Sequence, residues 1–292
     1  MDSKKSILIL GCSGLLGSEL VSGKYLSNYK IISHSRSIDL DYKVDLENHD
    51  QIYEMLEQTK PEVIINLVGL TDVDRCEQYP DEAKRLNVKI VENLVNAIKK
   101  CSSSPFLIHV STDQVYDGEG ILSEKNVNLS NIYSSTKFDG ELIAQEVNST
   151  VLRTNFFGKS KTKNRKSLTD WLFRKLKLQE KIEVFEDVWF SPLSMNCLCR
   201  MIEIIIEKKI KGLFNLGSHK GMNKAEFAFH FAKFLNIPTH NMKLSKISNV
   251  KFLHAYRPKN MMMDLTKFEQ TFNIKLPSLR EEIEFVAKEF KK

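Results

Sequence analysis

Residues Gly11-Cys12-Ser13-Gly14-Leu15-Leu16-Gly17 read G-x-x-G-x-x-G, and they follow the apolar run Ile7-Leu8-Ile9-Leu10 directly. A buried strand that runs into a glycine-rich turn and then a helix is the opening of a dinucleotide-binding α/β unit. In that setting Gly11 permits the tight turn and Gly14 lets the backbone approach a pyrophosphate. Gly17 lets helix and strand pack closely. The first turn of the helix adds N–H groups and the positive end of its dipole, which suit phosphate. Ser13, Leu15 and Leu16 lie within the motif and join the three glycines as candidate cofactor contacts.

The alternation begun there continues. Lys30-Ile31-Ile32-Ser33, Glu62-Val63-Ile64-Ile65-Asn66, Phe106-Leu107-Ile108-His109-Val110 and Thr150-Val151-Leu152-Arg153 read as strands. Between them lie helical stretches at 51–58, 81–100 and 133–147, the second with Leu86, Ile90, Leu94 and Ile98 on one stripe. Continuous apolar strands, each followed by a helix, predict a doubly wound parallel sheet of Rossmann type covered on both faces. The alternation weakens after Arg153. A basic stretch, Lys159 to Lys166, precedes helical patterns at 167–178, 196–208 and 224–235, and an amphipathic helix is expected at 278–290. The reading is a cofactor-binding domain over 1–155 and a smaller, mostly helical substrate lobe over 156–292, with some segments returning to pack on the first.

Bulk properties exclude other classes. The 43 basic and 37 acidic residues leave a net charge of +6. That suits anionic ligands such as nucleotides but is too small and dispersed for nucleic acid. Five scattered cysteines with no C-x-x-C pair predict reduced thiols, with no zinc site and no disulfide framework. The N-terminus has too short an apolar run for a signal peptide, and no stretch approaches a membrane span. A cytoplasmic protein without a metal is expected, as a homodimer if it assembles.

The end of the second strand selects the cofactor. An acid there would hold the ribose 2′-hydroxyl, and a base would accept a 2′-phosphate. This chain has Ser33-His34-Ser35-Arg36, with Asp39 and Asp41 further out. His34, Ser35 and Arg36 can all donate to phosphate, Arg36 bidentately. NADPH is therefore favoured over NADH. Further along, Tyr133-Ser134-Ser135-Thr136-Lys137 is Y-x-x-x-K. On a helix that spacing puts both side chains on one face, about 6 Å apart. The ammonium then favours phenolate and tunes the tyrosine for proton transfer, and it can also hold the nicotinamide ribose. Thr112 follows the fourth strand, where ligands of such folds sit, and can hydrogen-bond a carbonyl oxygen as charge develops on it.

The three-residue glycine spacing resembles the extended short-chain dehydrogenase/reductase family. Asp45-Leu46 resembles that family's Asp-Leu pair, whose carboxylate accepts from the adenine amino group. Within it, Ser111-Thr112-Asp113-Gln114-Val115-Tyr116-Asp117-Gly118 resembles the S-T-D-x-V-[FY]-D-G motif of the dTDP-4-dehydrorhamnose reductase family, with Gln114 where that family has Tyr. Asn66-Leu67-Val68-Gly69-Leu70-Thr71-Asp72-Val73-Asp74 resembles its N-A-A-A-x-T-x-V-D loop, with the alanines changed. Tyr133, Lys137, Gly140 and Glu141 match Y-x-x-[ST]-K-x-x-G-E. Arg153-Thr154-Asn155-Phe156-Phe157-Gly158 resembles the segment beside the nicotinamide. Asp187 and Ser191-Pro192 resemble part of a D-Q-x-G-x-P-T turn, and Arg257-Pro258-Lys259-Asn260 resembles R-P-x-N-S, which approaches the sugar nucleotide.

The resemblance implies reduction of a 4-keto group on a nucleotide-linked deoxysugar. Hydride would pass from the nicotinamide to the keto carbon, Tyr133 would protonate the oxygen, Lys137 would tune Tyr133, and Thr112 would orient the carbonyl. It also implies cofactor contacts from Leu67, Val68, Gly69, Thr154 and Phe156, and substrate contacts from Thr71, Asp113, Gln114 and Arg257. Arg257 and the basic loop are the candidates for the diphosphate. Two alternatives stand beside this reading. One is a nucleotide-sugar dehydratase or epimerase with tightly bound NAD, against which Gln114 counts because an amide cannot abstract a proton. The other is a cofactor-binding regulatory subunit resembling that of methionine adenosyltransferase, against which the intact Thr112, Tyr133 and Lys137 count.

Overall fold

The computed structural model describes residues 4–22, 24–36, 40–162 and 165–291. Asp39, and Lys163 and Asn164 of the basic loop, lie outside the described residues. The chain divides into two compact units. The first comprises residues 1–112, 131–153 and 199–214, and the second 113–130, 154–198 and 215–292. The units interleave along the chain.

The first unit is built on strands β1 (Ser6–Leu10), β2 (Lys30–His34), β3 (Val63–Asn66), β4 (Phe106–Val110) and β5 (Ser149–Thr154). They pair in parallel. With Gly212–Leu216 at the edge, the order is 212–216, β5, β4, β3, β1, β2. The chain runs outward from β1 to β2, then restarts on the other side of β1 at β3. This reversal between β1 and β3 is the topological switch point, where such sheets bind ligands outside their carboxyl ends. Leu8, Leu10, Ile64 and Leu107 pack against helix residues including Ile52, Leu56, Leu94 and Ala144. Ile7, Ile9, Ile65 and Ile108, which alternate with them, are also fully buried. Both faces are therefore covered, which is why the strands are apolar throughout.

The helix expected over 81–100 is segmented: α-helical at Pro80–Lys84, π-helical at Arg85–Lys89 and α-helical again at Ile90–Lys100. The helix carrying Tyr133, α1 (Ile132–Ala144), starts on a capping box in which the Asn131 side chain accepts from Ser134 N–H and the Ser134 side chain accepts from Asn131 N–H.

The second unit contains more strand than expected. Trp189–Phe190, here β6, is the middle strand between β7 (Met222–Asn223) and β8 (Asn260–Met261). Helix α2 (Lys224–Leu235) follows β7 through a second capping box, between Asn223 and Glu226. Its apolar face supplies Phe227 and Phe231 to an aromatic core, with Phe227 ring centroids 4.9 Å from Phe157 and 5.4 Å from Phe190. The C-terminal helix Leu279–Lys291 packs on α2, Phe290 against Phe231. No helix among the described residues is long and apolar enough to cross a membrane.

Candidate active site

The glycine loop sits at the switch point. Gly11 has φ +90°, a left-handed conformation that favours glycine, and a Cβ there would lie 3.3 Å from both the Leu67 carbonyl carbon and the Val68 side chain. Gly17 is tighter: its Cβ would come within 2.3 Å of the Gly11 carbonyl oxygen. The loop after β1 and the loop after β3 thus meet backbone to backbone. Gly14 begins the helix Leu15–Leu20 without a side-chain cap, so no side chain competes for the N–H groups of its first turn. This glycine cradle fits a dinucleotide pyrophosphate.

At the end of β2 the candidate donors differ in access. Ser33 Oγ and N–H both donate to the Asp41 carboxylate at 2.8 Å. His34 is buried, with Nε2 2.8 Å from the Val44 carbonyl oxygen, and burial holds its pKa below the ordinary imidazole value. Ser35 is buried as well, while Arg36 is exposed. Arg36 is thus the group with access to solvent, and the Asp41 carboxylate accepts from Ser33. Asp45 is exposed with Oδ1 accepting from Glu47 N–H, and Leu46 beside it is buried.

Thr112, Tyr133 and Lys137 are 4%, 6% and 5% exposed and all belong to the first unit. Lys137 Nζ donates to the Val110 carbonyl at 2.9 Å, at the carboxyl end of β4 and two residues before Thr112. It also lies 3.7 Å from where a Cβ on Gly69 would be. The ammonium therefore spans the ends of β3 and β4. Burial pushes its pKa down to about 8 despite the opposing charge of Glu141 one turn along α1. Burial, with the nearby Lys137 charge, also holds His109 neutral, with its Nδ1 3.1 Å from Asn66 Nδ2.

Two supports of this site carry no role in the sequence reading. Arg153 on β5 is fully buried and grips Glu141 of α1, with Nη2 2.7 Å from Oε2 and Nε 3.1 and 3.0 Å from the two oxygens. Ser111 Oγ donates to Oε1 of the same carboxylate at 2.5 Å. The motif match flags Glu141 and Arg153, but their pairing is a long-range contact that no local pattern announces. Asn87 is the second. Its Oδ1 accepts from Leu70 N–H at 2.7 Å and its Nδ2 donates to Leu70 O and Thr136 Oγ1, which ties the Gly69 loop to α1. The π-helical segment turns it inward, a feature that recurs at functional sites.

The remaining candidates are scattered between the units. Leu67, Val68 and Gly69 are half-buried in the first, where Thr71 is exposed. In the second, Thr154 and Asp113 are buried, and Phe156, Gln114 and Arg257 are half-buried. Asp113 Oδ2 accepts from Asn155 Nδ2 at 2.8 Å, and Arg257 Nη1 donates to the Ala255 carbonyl at 3.0 Å. Lys159 of the basic loop donates to the Glu289 carbonyl of the C-terminal helix.

Comparison with known proteins gives a consistent family. A family model described as the RmlD substrate binding domain matches residues 5–292. The chain is 27% identical over 286 residues to a dTDP-4-dehydrorhamnose reductase of Escherichia coli, covering 93% of each. It is 26% identical over 275 residues to the methionine adenosyltransferase 2 subunit beta of Xenopus laevis, covering 90% of this chain and 81% of the relative. Among solved structures, a dTDP-4-dehydrorhamnose reductase of Bacillus anthracis in complex with NADP superposes with a TM-score of 0.88 at 24% identity, covering 98% of this chain and 99% of that one. That last likeness is one of fold.

Proposed function

We propose that this chain, which belongs to the RmlD substrate binding domain family, is an NADPH-dependent reductase of a 4-keto group on a nucleotide-linked deoxysugar. The observation that carries the reading is the Lys137 ammonium, buried and bonded to the end of β4, one helical turn from Tyr133. The E. coli relative named dTDP-4-dehydrorhamnose reductase supports the substrate class, and the NADP in the B. anthracis relative supports the cofactor. Five free cysteines, all buried, fit the cytoplasm.

NADPH, when bound, supplies two electrons and a hydrogen to the keto carbon as hydride. Gly11, Gly14 and Gly17 would hold its pyrophosphate, with Leu67, Val68 and Gly69 as further contacts. Arg36 would hold the 2′-phosphate, and Thr154 and Phe156 are the candidates for the nicotinamide. The Thr112 hydroxyl donates to the carbonyl oxygen, and that bond strengthens as the oxygen gains negative charge. Tyr133 Oη delivers the proton that completes the alcohol. The Lys137 ammonium stabilises the phenolate left behind, which lowers the cost of the transfer. Thr71, Asp113, Gln114 and Arg257 serve the sugar nucleotide. Water elimination would need a carboxylate base where the chain has Gln114.

The test is a panel of 4-keto nucleotide sugars assayed by NADPH oxidation, with Tyr133→Phe alongside. The variant keeps cofactor affinity and loses nearly all turnover, since only the proton donor is removed. Near-normal turnover in Tyr133→Phe would sink the mechanism. A wild-type protein that binds NADPH yet reduces no member of the panel would sink the activity.

A further inference from the structure

The helix Leu168–Lys177 packs one face into the second unit and turns the other to solvent. It starts on a capping box in which the Ser167 side chain accepts from Asp170 N–H and the Asp170 carboxylate accepts from Ser167 N–H. Thr169, Leu172 and Leu176 are buried, spaced as one packed face requires. The outward face is not simply polar. Leu168, Trp171 and Leu178 are 39%, 40% and 60% exposed. Their spacing keeps them on one side of the helix. Single exposed apolar side chains need no explanation, but three on one side of a short helix do. Arg174 and Lys177 are exposed beside them, and Lys175 is half-buried.

The basic loop that precedes this helix lies on the same surface. Ser160 N–H donates to the Asp170 carboxylate, with Oδ2 at 3.2 Å. Lys159 donates to the Glu289 carbonyl at 3.0 Å and sits 5.6 Å from the centroid of the Phe290 ring. Phe290 packs on Phe173 with centroids 4.8 Å apart, and the Lys177 ammonium lies 5.3 Å from the Phe173 centroid. Lys161, Arg165 and Lys166 of the loop are exposed. Residues 159–181 hold nine basic and two acidic residues, a net charge of +7 against +6 for the whole chain. The remainder, with 34 basic and 35 acidic residues, stands at −1. The excess that looks small over the whole chain is therefore concentrated in one segment. Glu180, one of the two acids there, is shared by Arg174 and Lys175.

Lys and Arg gathered beside an exposed ridge of Trp and Leu suit an anionic lipid surface. The cations would meet the headgroup phosphates, and the indole and leucines would enter the boundary between headgroups and acyl chains. Trp fits that boundary because its ring is apolar and its N–H can stay hydrated. A nucleic acid or an acidic peptide would use the cations and leave the leucines in water. No helix among the described residues is long and apolar enough to cross a bilayer, so an association of this kind is peripheral.

We propose that the face formed by Leu168, Trp171, Arg174, Lys177 and Leu178, with the basic loop beside it, binds anionic phospholipid membranes peripherally. The surface is independent of the reductase reading, and its test uses no sugar substrate.

The full chain is sedimented with vesicles of phosphatidylcholine containing phosphatidylglycerol, and with vesicles of phosphatidylcholine alone, at low and high salt. Wild type binds the anionic vesicles at low salt, loses most of that binding at high salt, and leaves the neutral vesicles alone. Each basic side chain at an anionic surface contributes about fivefold in partitioning, so Arg174→Gln/Lys177→Gln weakens binding roughly 25-fold. Lys84→Gln/Lys100→Gln removes the same charge from exposed positions of the first unit and leaves binding nearly unchanged. Trp171→Ser weakens binding several-fold at constant charge. Brominated lipid quenches the fluorescence of wild type but not of Trp171→Phe, whose remaining tryptophan is Trp189 of β6. The thermal midpoint stays at the wild-type value in every variant, which separates membrane binding from a folding defect. A wild type that binds no anionic vesicle overturns the proposal. So does equal weakening by the two double variants, which would make the attraction diffuse, or an unquenched Trp171. If the chain ignores the vesicles but binds poly-glutamate or duplex DNA through Arg174 and Lys177, the lipid assignment fails.

Discussion

Among the described residues no carboxylate is in direct contact with the buried Lys137 ammonium, and this sets a pH signature. Its pKa falls from 10.5 to about 8 because burial disfavours the charged form. Above that value the protein loses the cation that stabilises the Tyr133 phenolate. The value of kcat/KM for reduction therefore falls as pH rises through about 8, and the Lys137→Met variant, with most activity gone, loses that limb. Stability moves the other way. Between about pH 8 and 10.5 the unfolded chain holds a proton that the folded chain has released, so stability climbs over that window, by up to roughly 3 kcal/mol. Below pH 8 both states are protonated and the cost of burial is constant. A flat kcat/KM between pH 7 and 9.5 would count against the role of Lys137. Arg36 makes a separate prediction at the same scale. It is the exposed donor at the end of β2, so Arg36→Ala weakens NADPH roughly ten- to a hundredfold and leaves NADH nearly unchanged. Equal weakening of the two, measured by fluorescence titration, would remove Arg36 from the 2′-phosphate. The donors that favour NADPH are visible in the composition of this turn, but which of them are free of other partners is not. Ser33 donates to Asp41 and His34 Nε2 meets the Val44 carbonyl, residues eight and ten positions away.

At the scale of elements, the Arg153–Glu141 pair binds β5 to the helix that presents Tyr133 and Lys137, and Ser111 extends the link to the end of β4. A buried ion pair adds little over an apolar pair of the same size, but removing one partner strands a charge. Arg153→Met should therefore destabilise the fold by roughly 3–5 kcal/mol in urea unfolding. The double variant Glu141→Leu/Arg153→Met should recover most of the loss. A stable single variant, or a double variant no better than the single, would mean the carboxylate finds another partner. The strands of the first unit were legible because each is a continuous apolar run, and the glycine loop because its spacing is local. The π-helical turn at Arg85–Lys89 was not, since the stripe Leu86, Ile90, Leu94 and Ile98 satisfies an unbroken α-helix equally well. The two-residue strands β6, β7 and β8 were equally hidden, because a period of two cannot be recognised in two residues.

At the scale of the whole molecule, the chain leaves the first unit after Thr112, two residues beyond the end of β4, and again after Arg153, the next-to-last residue of β5. The expected boundary at 155/156 rests on the change in pattern near Arg153. The excursion at 113–130 was hidden because it is a short loop-like stretch. The return at 199–214 was hidden because it begins inside the continuous helix Met195–Lys208. The dinucleotide candidates of the glycine loop and of 67–69 belong to the first unit, and the nicotinamide candidates Thr154 and Phe156 and the diphosphate candidate Arg257 to the second. Hydrogen exchange should resolve them, because a ligand that binds only the folded form slows local opening where it binds. NADPH alone should protect amides in 11–17 and 67–71. A nucleoside diphosphate alone should protect amides in 113–115 and 255–260. The Arg36→Ala variant should lose the first pattern at a fixed NADPH concentration and keep the second, and Arg257→Ala should do the reverse. If either ligand alone protects both sets equally, or if the nucleoside diphosphate protects the glycine loop, the division of binding between the units is wrong.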